Sequence, residues 1–81
     1  MTYFVYLLRC RDKSLYCGIT NDLERRIQEH NDGKKSAKYT RGRRPVKLVY
    51  FESYTRINEA LAREAEIKHW PKNKKELIIK I

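Results

Sequence analysis

Three groups of side chains in this sequence could do chemistry. Glu64 falls in the series Ile57, Ala60, Leu61, Glu64, Ile67, whose helical spacing sets a carboxylate into an apolar stripe. A carboxylate is almost never buried alone, so Glu64 is either paired or metal-bound, or it sits at the stripe's edge in an ion pair with Arg63 or Lys68. Arg26 and His30 are four residues apart on the face that carries Leu23 and Ile27. They are an odd pair to turn towards a core, although each can also cover a core boundary with its apolar part. The third group is the run Lys34, Lys35, Lys38, Tyr39, Arg41, Arg43, Arg44, which contains no acid and one aromatic ring. It has the make-up of a phosphate-contacting segment with one stacking side chain, where a merely solvated loop would mix its charges.

These groups need elements to hold them. The run YFVYLLR at 3–9 and the stretch LYCGI at 15–19, separated by polar residues, read as a β-hairpin. A helix follows over Asp22–Asn31, capped by Thr20, Asn21 or Asp22 and ended by Asp32-Gly33. The basic run 34–45 reads as a loop. A third strand is expected over Val46–Ser53, and a second helix over Arg56–His69, capped by Thr55 and stopped before Pro71. The tail KNKKELIIKI forms a short closing helix or an extended edge.

The chain has 81 residues, 41% of them hydrophobic and 36% charged, which is one globular domain over 1–81 with a thin core. No apolar run is long enough to span a membrane and no signal peptide is evident, so a cytoplasmic protein is expected. Cys10 and Cys17 are too few for a disulfide framework and read as buried free thiols, ahead of a zinc set with His30 and His69. Nineteen Lys and Arg against ten Asp and Glu leave a formal charge of +9, which suits a polyanionic partner.

The motifs FVY at Phe4–Tyr6 and YCG at Tyr16–Gly18, Arg26 in the helix that follows and Glu64 in a later helix resemble the GIY-YIG nuclease family. The likeness covers nearly the whole chain. It is strongest over LYCGITNDLERRIQEHN and EALAREAEIKHW, and it is nearest the small stand-alone bacterial members. The chain is also similar to the nuclease domain of the eukaryotic structure-specific endonuclease's catalytic subunit. The resemblance implies an α+β fold, a three-stranded antiparallel sheet flanked by helices. It further implies one divalent ion, Mg²⁺ or Mn²⁺, on Glu64, and hydrolysis of a DNA phosphodiester.

Tyr6 and Tyr16 match the family's two active-site tyrosines, Arg26 its arginine, Glu64 its metal-binding carboxylate and Gly18 the glycine of its second motif. His30 falls where relatives carry His or Tyr. The family's late asparagine aligns near Glu76, so that role is not carried over.

In such a site one carboxylate suffices for a hard ion that keeps several waters, and Arg26 offers a planar fork for a phosphate. A tyrosine with the usual pKa of about 10 must be lowered to act as base; Tyr6 is the first choice and His30 its rival. Tyr6 and Tyr16 share a sheet face only if the hairpin pairs residues whose numbers have an even sum, as in a three-residue loop Asp12–Ser14. A two-residue Asp12-Lys13 turn would point the phenols apart. The expected partner is single-stranded or branched DNA in repair or recombination, with a protein partner supplying specificity and no small-molecule cofactor. The competing readings are a non-catalytic nucleic-acid-binding module on the same fold and an RNA- or ribosome-associated basic protein.

Overall fold

The structure, a computed structural model, describes residues 1–33 and 35–80. Strands β1 (Tyr3–Arg9), β2 (Leu15–Thr20) and β3 (Lys47–Tyr54) form one antiparallel sheet in the order β2-β1-β3. The central strand reads as an unbroken apolar run because both of its faces are covered: Val5, Tyr6, Leu7 and Leu8 are at most 1% exposed. Helix α1 (Leu23–Asp32) packs Leu23 and Ile27 onto the face carrying Tyr6, Leu8 and Tyr16. Helices α3 (Ile57–Lys68) and α4 (Lys72–Lys80) cover the opposite face, where Ala60, Ile67, Ile78 and Ile79 meet Val5, Leu7 and Cys17. The result is the expected α+β fold, a three-stranded antiparallel sheet flanked by four helices. Among the described residues no helix is long and apolar enough to cross a membrane.

The hairpin decides which side chains share a face. Tyr6 pairs with Gly18, Leu8 with Tyr16 and Arg9 with Leu15, so the numbers of paired residues have an even sum and both phenols lie on the α1 face. The loop is Arg11-Asp12-Lys13, one residue earlier than the Asp12–Ser14 expected. Cys10 N donates to Ser14 O at 2.9 Å, and Lys13 adopts the left-handed φ of 71° that ends a three-residue hairpin loop. Asp12 Oδ1 accepts from Ser14 N at 3.0 Å and locks the turn.

Other boundaries differ for identifiable reasons. α1 begins at Leu23, with the Asp22 carboxylate accepting from Arg25 N at 3.1 Å, and closes at Gly33 in the left-handed region at φ 82°. The basic stretch is not all loop: α2 (Lys38–Arg41) forms within it, Thr40 N and Arg41 N each donating to Ala37 O at 3.1 Å. Thr55 does not cap the third helix; Arg56 takes the capping position without a side-chain bond. That helix also turns further than its apolar stripe suggests. Ala60 and Ile67 are fully buried, Ile57 and Leu61 about half exposed, and the seam runs through Arg63 and Glu64. In this orientation Arg63 reaches both oxygens of Glu52 on β3, at 2.9 and 3.0 Å. The Tyr50 and Tyr54 hydroxyls donate to the same carboxylate. Burial raises the pKa of Glu52, but Arg63 and the two phenols outweigh it and hold the group down at about 2.

Gly18 owes its place to the tyrosine opposite. A Cβ there would stand 2.6 Å from Tyr6 Cζ and 3.1 Å from Tyr16 Cε2, so the Tyr6 ring lies directly over the glycine. Gly18→Ala should therefore destabilise the fold by about 1–3 kcal/mol through overpacking. In a Tyr6→Ala background the same change should cost far less. Urea unfolding of the four proteins of this cycle checks it, and equal penalties in both backgrounds would contradict the packing argument.

Candidate active site

The even register brings Tyr6, Tyr16 and His30 together, with Arg26 beside Tyr6. The Tyr6 and His30 rings stand 6.1 Å apart, Tyr16 and His30 5.2 Å, and Tyr6 and Tyr16 6.4 Å. α1 delivers Arg26 and His30 because Leu23 and Ile27 fix the face it turns to the sheet. His30 is fully buried, and the proton order around it follows from its partners. Thr40 Oγ1 donates to Ala37 O at 3.1 Å, so it accepts from His30 Nδ1–H at 2.8 Å; His30 Nε2 in turn accepts from the Tyr6 hydroxyl at 3.0 Å. This chain of bonds runs into α2, whose Thr40 is completely out of solvent.

The electrostatics of the site run against the expectation of a tyrosinate. Burial, then the neighbouring Tyr16, push the Tyr6 phenol up to about 12, and the pull of Arg26 in the other direction is too small to reverse this. Burial, then the Arg26 charge, lower His30 to about 4, so the imidazole is neutral at pH 7. Arg26 itself is engaged: Nη1 donates to Glu29 Oε1 at 3.0 Å and to the Lys35 carbonyl at 2.6 Å.

Glu64 comes from α3, the helix that packs on the Cys17 face of the sheet; its charge acts on Cys17 and its ion-pair partner is Lys68 at 3.4 Å. Burial and then the charge of Glu64 raise the Cys17 thiol to about 11, which makes it inert. Among the described residues no three His, Cys, Asp or Glu side chains converge on a common point that could hold a metal. Glu64 is 16% exposed, and as a single carboxylate it suits a hard ion whose other positions go to water and phosphate oxygens, not an all-protein cage. Glu76, near the family's late asparagine, is held by Arg9 at 2.5 and 2.6 Å and by Lys72 at 3.5 Å, and Arg9 chiefly lowers its pKa to about 2.

The basic segment divides into fixed and exposed members. Lys34 lies outside the described residues. Arg43 reaches Asp12 at 3.0 Å and the Tyr39 carbonyl at 2.7 Å, and Arg44 bonds the carbonyls of Arg41 and Asn31 at 3.0 and 3.3 Å. Tyr39 stacks on Tyr16 at 6.0 Å, with the Arg43 guanidinium 4.1 Å over its ring. Its ring is thus engaged within the protein itself. Lys35, Lys38 and Arg41 are exposed. The sequence reading missed Thr40, and no local pattern would have revealed it: a threonine in a polar run becomes part of the site only through a contact ten residues away.

The profile of the GIY-YIG catalytic domain matches residues 2–76. A UPF0213 protein of Clostridium perfringens is 57% identical over 72 residues, covering 89% of this chain and 76% of the relative. One from Haloquadratum walsbyi is 53% identical over 74 residues, with coverages of 91% and 82%. The solution NMR structure of a UPF0213 protein from Bacillus halodurans is similar at TM-score 0.64 and 45% identity, over 99% of this chain and 84% of that one.

The neutral His30 makes a pH prediction. Unfolded, its pKa is about 6.5; folded, it is about 4. The unfolded chain therefore binds the extra proton first, so stability is full above about pH 6.5 and falls by up to about 3 kcal/mol as the pH drops towards 4. The stabilisation from Glu52 is lost lower still, as pH falls from the ordinary carboxyl range to about 2. Urea midpoints between pH 7 and 4 should show the loss for the native chain and a flatter profile for His30→Gln. Imidazole ¹⁵N shifts should report the Nδ1–H tautomer at pH 6; an imidazolium there would refute the assignment.

Proposed function

Because the chain belongs to the GIY-YIG domain family and matches UPF0213 proteins along most of its length, we propose that it is a nucleic-acid-binding module built on that fold. The observation that carries this reading is the closed, neutral hydrogen-bond chain from Tyr6 through His30 to Thr40. The phenol is pushed to about 12 and the imidazole to about 4, so neither is poised to take a proton from water at neutral pH. The +9 charge and the exposed Lys35, Lys38 and Arg41 beside this face support a phosphodiester strand as ligand, with single-stranded or branched DNA as the substrate class. Arg26 can join the binding by exchanging the Lys35 carbonyl for a phosphate.

A metal-dependent DNA endonuclease is the second reading, favoured by one observation: Tyr6, Tyr16, Arg26 and His30 meet on one face, as they would in a GIY-YIG active site. In this reading Glu64 would hold one Mg²⁺ or Mn²⁺, which would relieve charge at the phosphorus. Arg26 would steady the phosphate and Tyr16 would position the water. Tyr6, passing its own proton to His30 Nε2, would take a proton from that water as its oxygen bonds to phosphorus, and the departing ester oxygen would be protonated by solvent. A protein partner that supplies specificity, and action in cytoplasmic DNA repair or recombination, belong to this reading.

End-labelled single-stranded and branched DNA, incubated with Mg²⁺ or Mn²⁺ and either the native chain or Glu64→Ala, separates the two. The binding module retains both substrates in both proteins and cuts neither. Its affinity for single strands falls with salt at a log–log slope of about −4 if five or six phosphates are contacted. Cleavage by the native chain, lost in Glu64→Ala, would replace this conclusion with the nuclease. Absence of binding would remove both.

A further inference from the structure

Nine arginines occur in the chain. Arg9, Arg25, Arg26, Arg43 and Arg63 each pair with a carboxylate. Of the four others, three line a single cleft of about 540 Å³: Arg11 from the hairpin loop, Arg41 from the end of α2 and Arg44 beyond it, with Asn31, Gly42 and Pro45 completing the wall. No acid lines it.

Three arginines lining one cleft concentrate like charge, and the backbone around them is held by a set of bonds. Arg11 N donates to Arg43 O at 2.9 Å, Arg44 bridges the Arg41 and Asn31 carbonyls, and the Asn31 side chain clamps Val46 through N–H to Oδ1 at 2.7 Å and Nδ2–H to O at 3.0 Å. A Cβ at Gly42 would meet nothing within 4 Å, so that wall is open to an approaching chain. The volume exceeds what one phosphate group needs and falls in the range of sites that take a nucleotide-sized ligand.

We propose that this cleft is a phosphodiester-binding site that grips the nucleic-acid strand to one side of the Tyr6–His30 face. The inference rests on the nucleic-acid-binding reading and extends it to a second point of contact. Consecutive residues of α2 join the two points: Tyr39 stacks on Tyr16, Thr40 bonds His30 and Arg41 enters the cleft. Guanidiniums are the side chains that hold phosphate oxygens in two-point contact; among the described residues none of these three pairs with a carboxylate, and Arg44's bonds go to carbonyls.

The test compares Arg11→Gln/Arg41→Gln with Arg56→Gln/Lys80→Gln, which removes the same charge from exposed positions outside the cleft. Thermal unfolding first establishes that both are folded. A fluorescent oligothymidylate is then titrated over a salt series, and inorganic phosphate is titrated separately while amide NMR shifts are followed. The cleft variant should bind the oligonucleotide about tenfold more weakly near 0.1 M salt, with a slope shallower by about 1.4, that is about 0.7 per lost contact. The charge-matched variant should change less than half as much. Phosphate should move the amides of Arg11, Asn31 and Gly42 in the native chain. Equal losses in the two variants, or undiminished binding by the cleft variant, would overturn the proposal. If the native chain binds no oligonucleotide but phosphate still moves those amides, the nucleic-acid reading fails and the cleft is a site for a free phosphate compound.

Discussion

The parity of the β1–β2 register is the constraint on which the site depends. With Tyr6 opposite Gly18, the two phenols and the α1 face belong together, and Val5, Leu7 and Cys17 go to the α3 face. A slip of one residue in β2 would turn Tyr16 and Gly18 to the α3 face and Cys17 to the α1 face, and so point the two phenols apart. Two local devices hold the register: the Asp12 cap on a three-residue loop, and the absence of a side chain at Gly18, which lets the Tyr6 ring lie flat across its partner strand. The glycine is needed for close approach and not for an unusual backbone, since it does not share the positive φ found at Gly33.

The two faces of the sheet use polar groups differently. On the α3 face, Glu52 is saturated by Arg63, Tyr50 and Tyr54, a charged cluster that fixes the roll of the helix. On the α1 face, the buried groups are neutral and arranged in a line, Tyr6 to His30 to Thr40 to the Ala37 carbonyl. A satisfied neutral chain can be buried at little cost, whereas an ionised member would need a counter-charge brought in from outside. Arg26 is the cation nearest to hand, and its bonds to Glu29 and Lys35 already occupy it.

Sequence patterns made the strands, the first helix and the shared tyrosine face legible because each follows from a short-range rule: apolar runs, a capping aspartate, the period of two. They misread the third helix, where Ile57 and Leu61 look like core. The helix instead turns Arg63 to Glu52 and leaves those two aliphatic side chains about half exposed. They also misread the basic segment as uniform loop. Charge is additive along a sequence, but whether an arginine is available depends on carbonyls and carboxylates that the chain brings near only by folding. Arg43 and Arg44 therefore became staples, while Arg11, which nothing in its local sequence distinguishes, came to share a cleft with Arg41.

That redistribution of arginines bears on how such a small domain could hold a polyanion. A thin core tolerates few buried charges, so most guanidiniums here are satisfied by acids or carbonyls and contribute to holding loops in place. The Arg43 and Arg44 staples tie down the segment from α2 to Pro45, which lines one cleft with Arg11. Cations held on a tied-down segment would need less reorganisation to meet an anion than cations on a mobile loop. The same short helix carries Thr40 into the Tyr6–His30 chain, and the rigidity of the neutral face and that of the charged cleft thus have one structural origin.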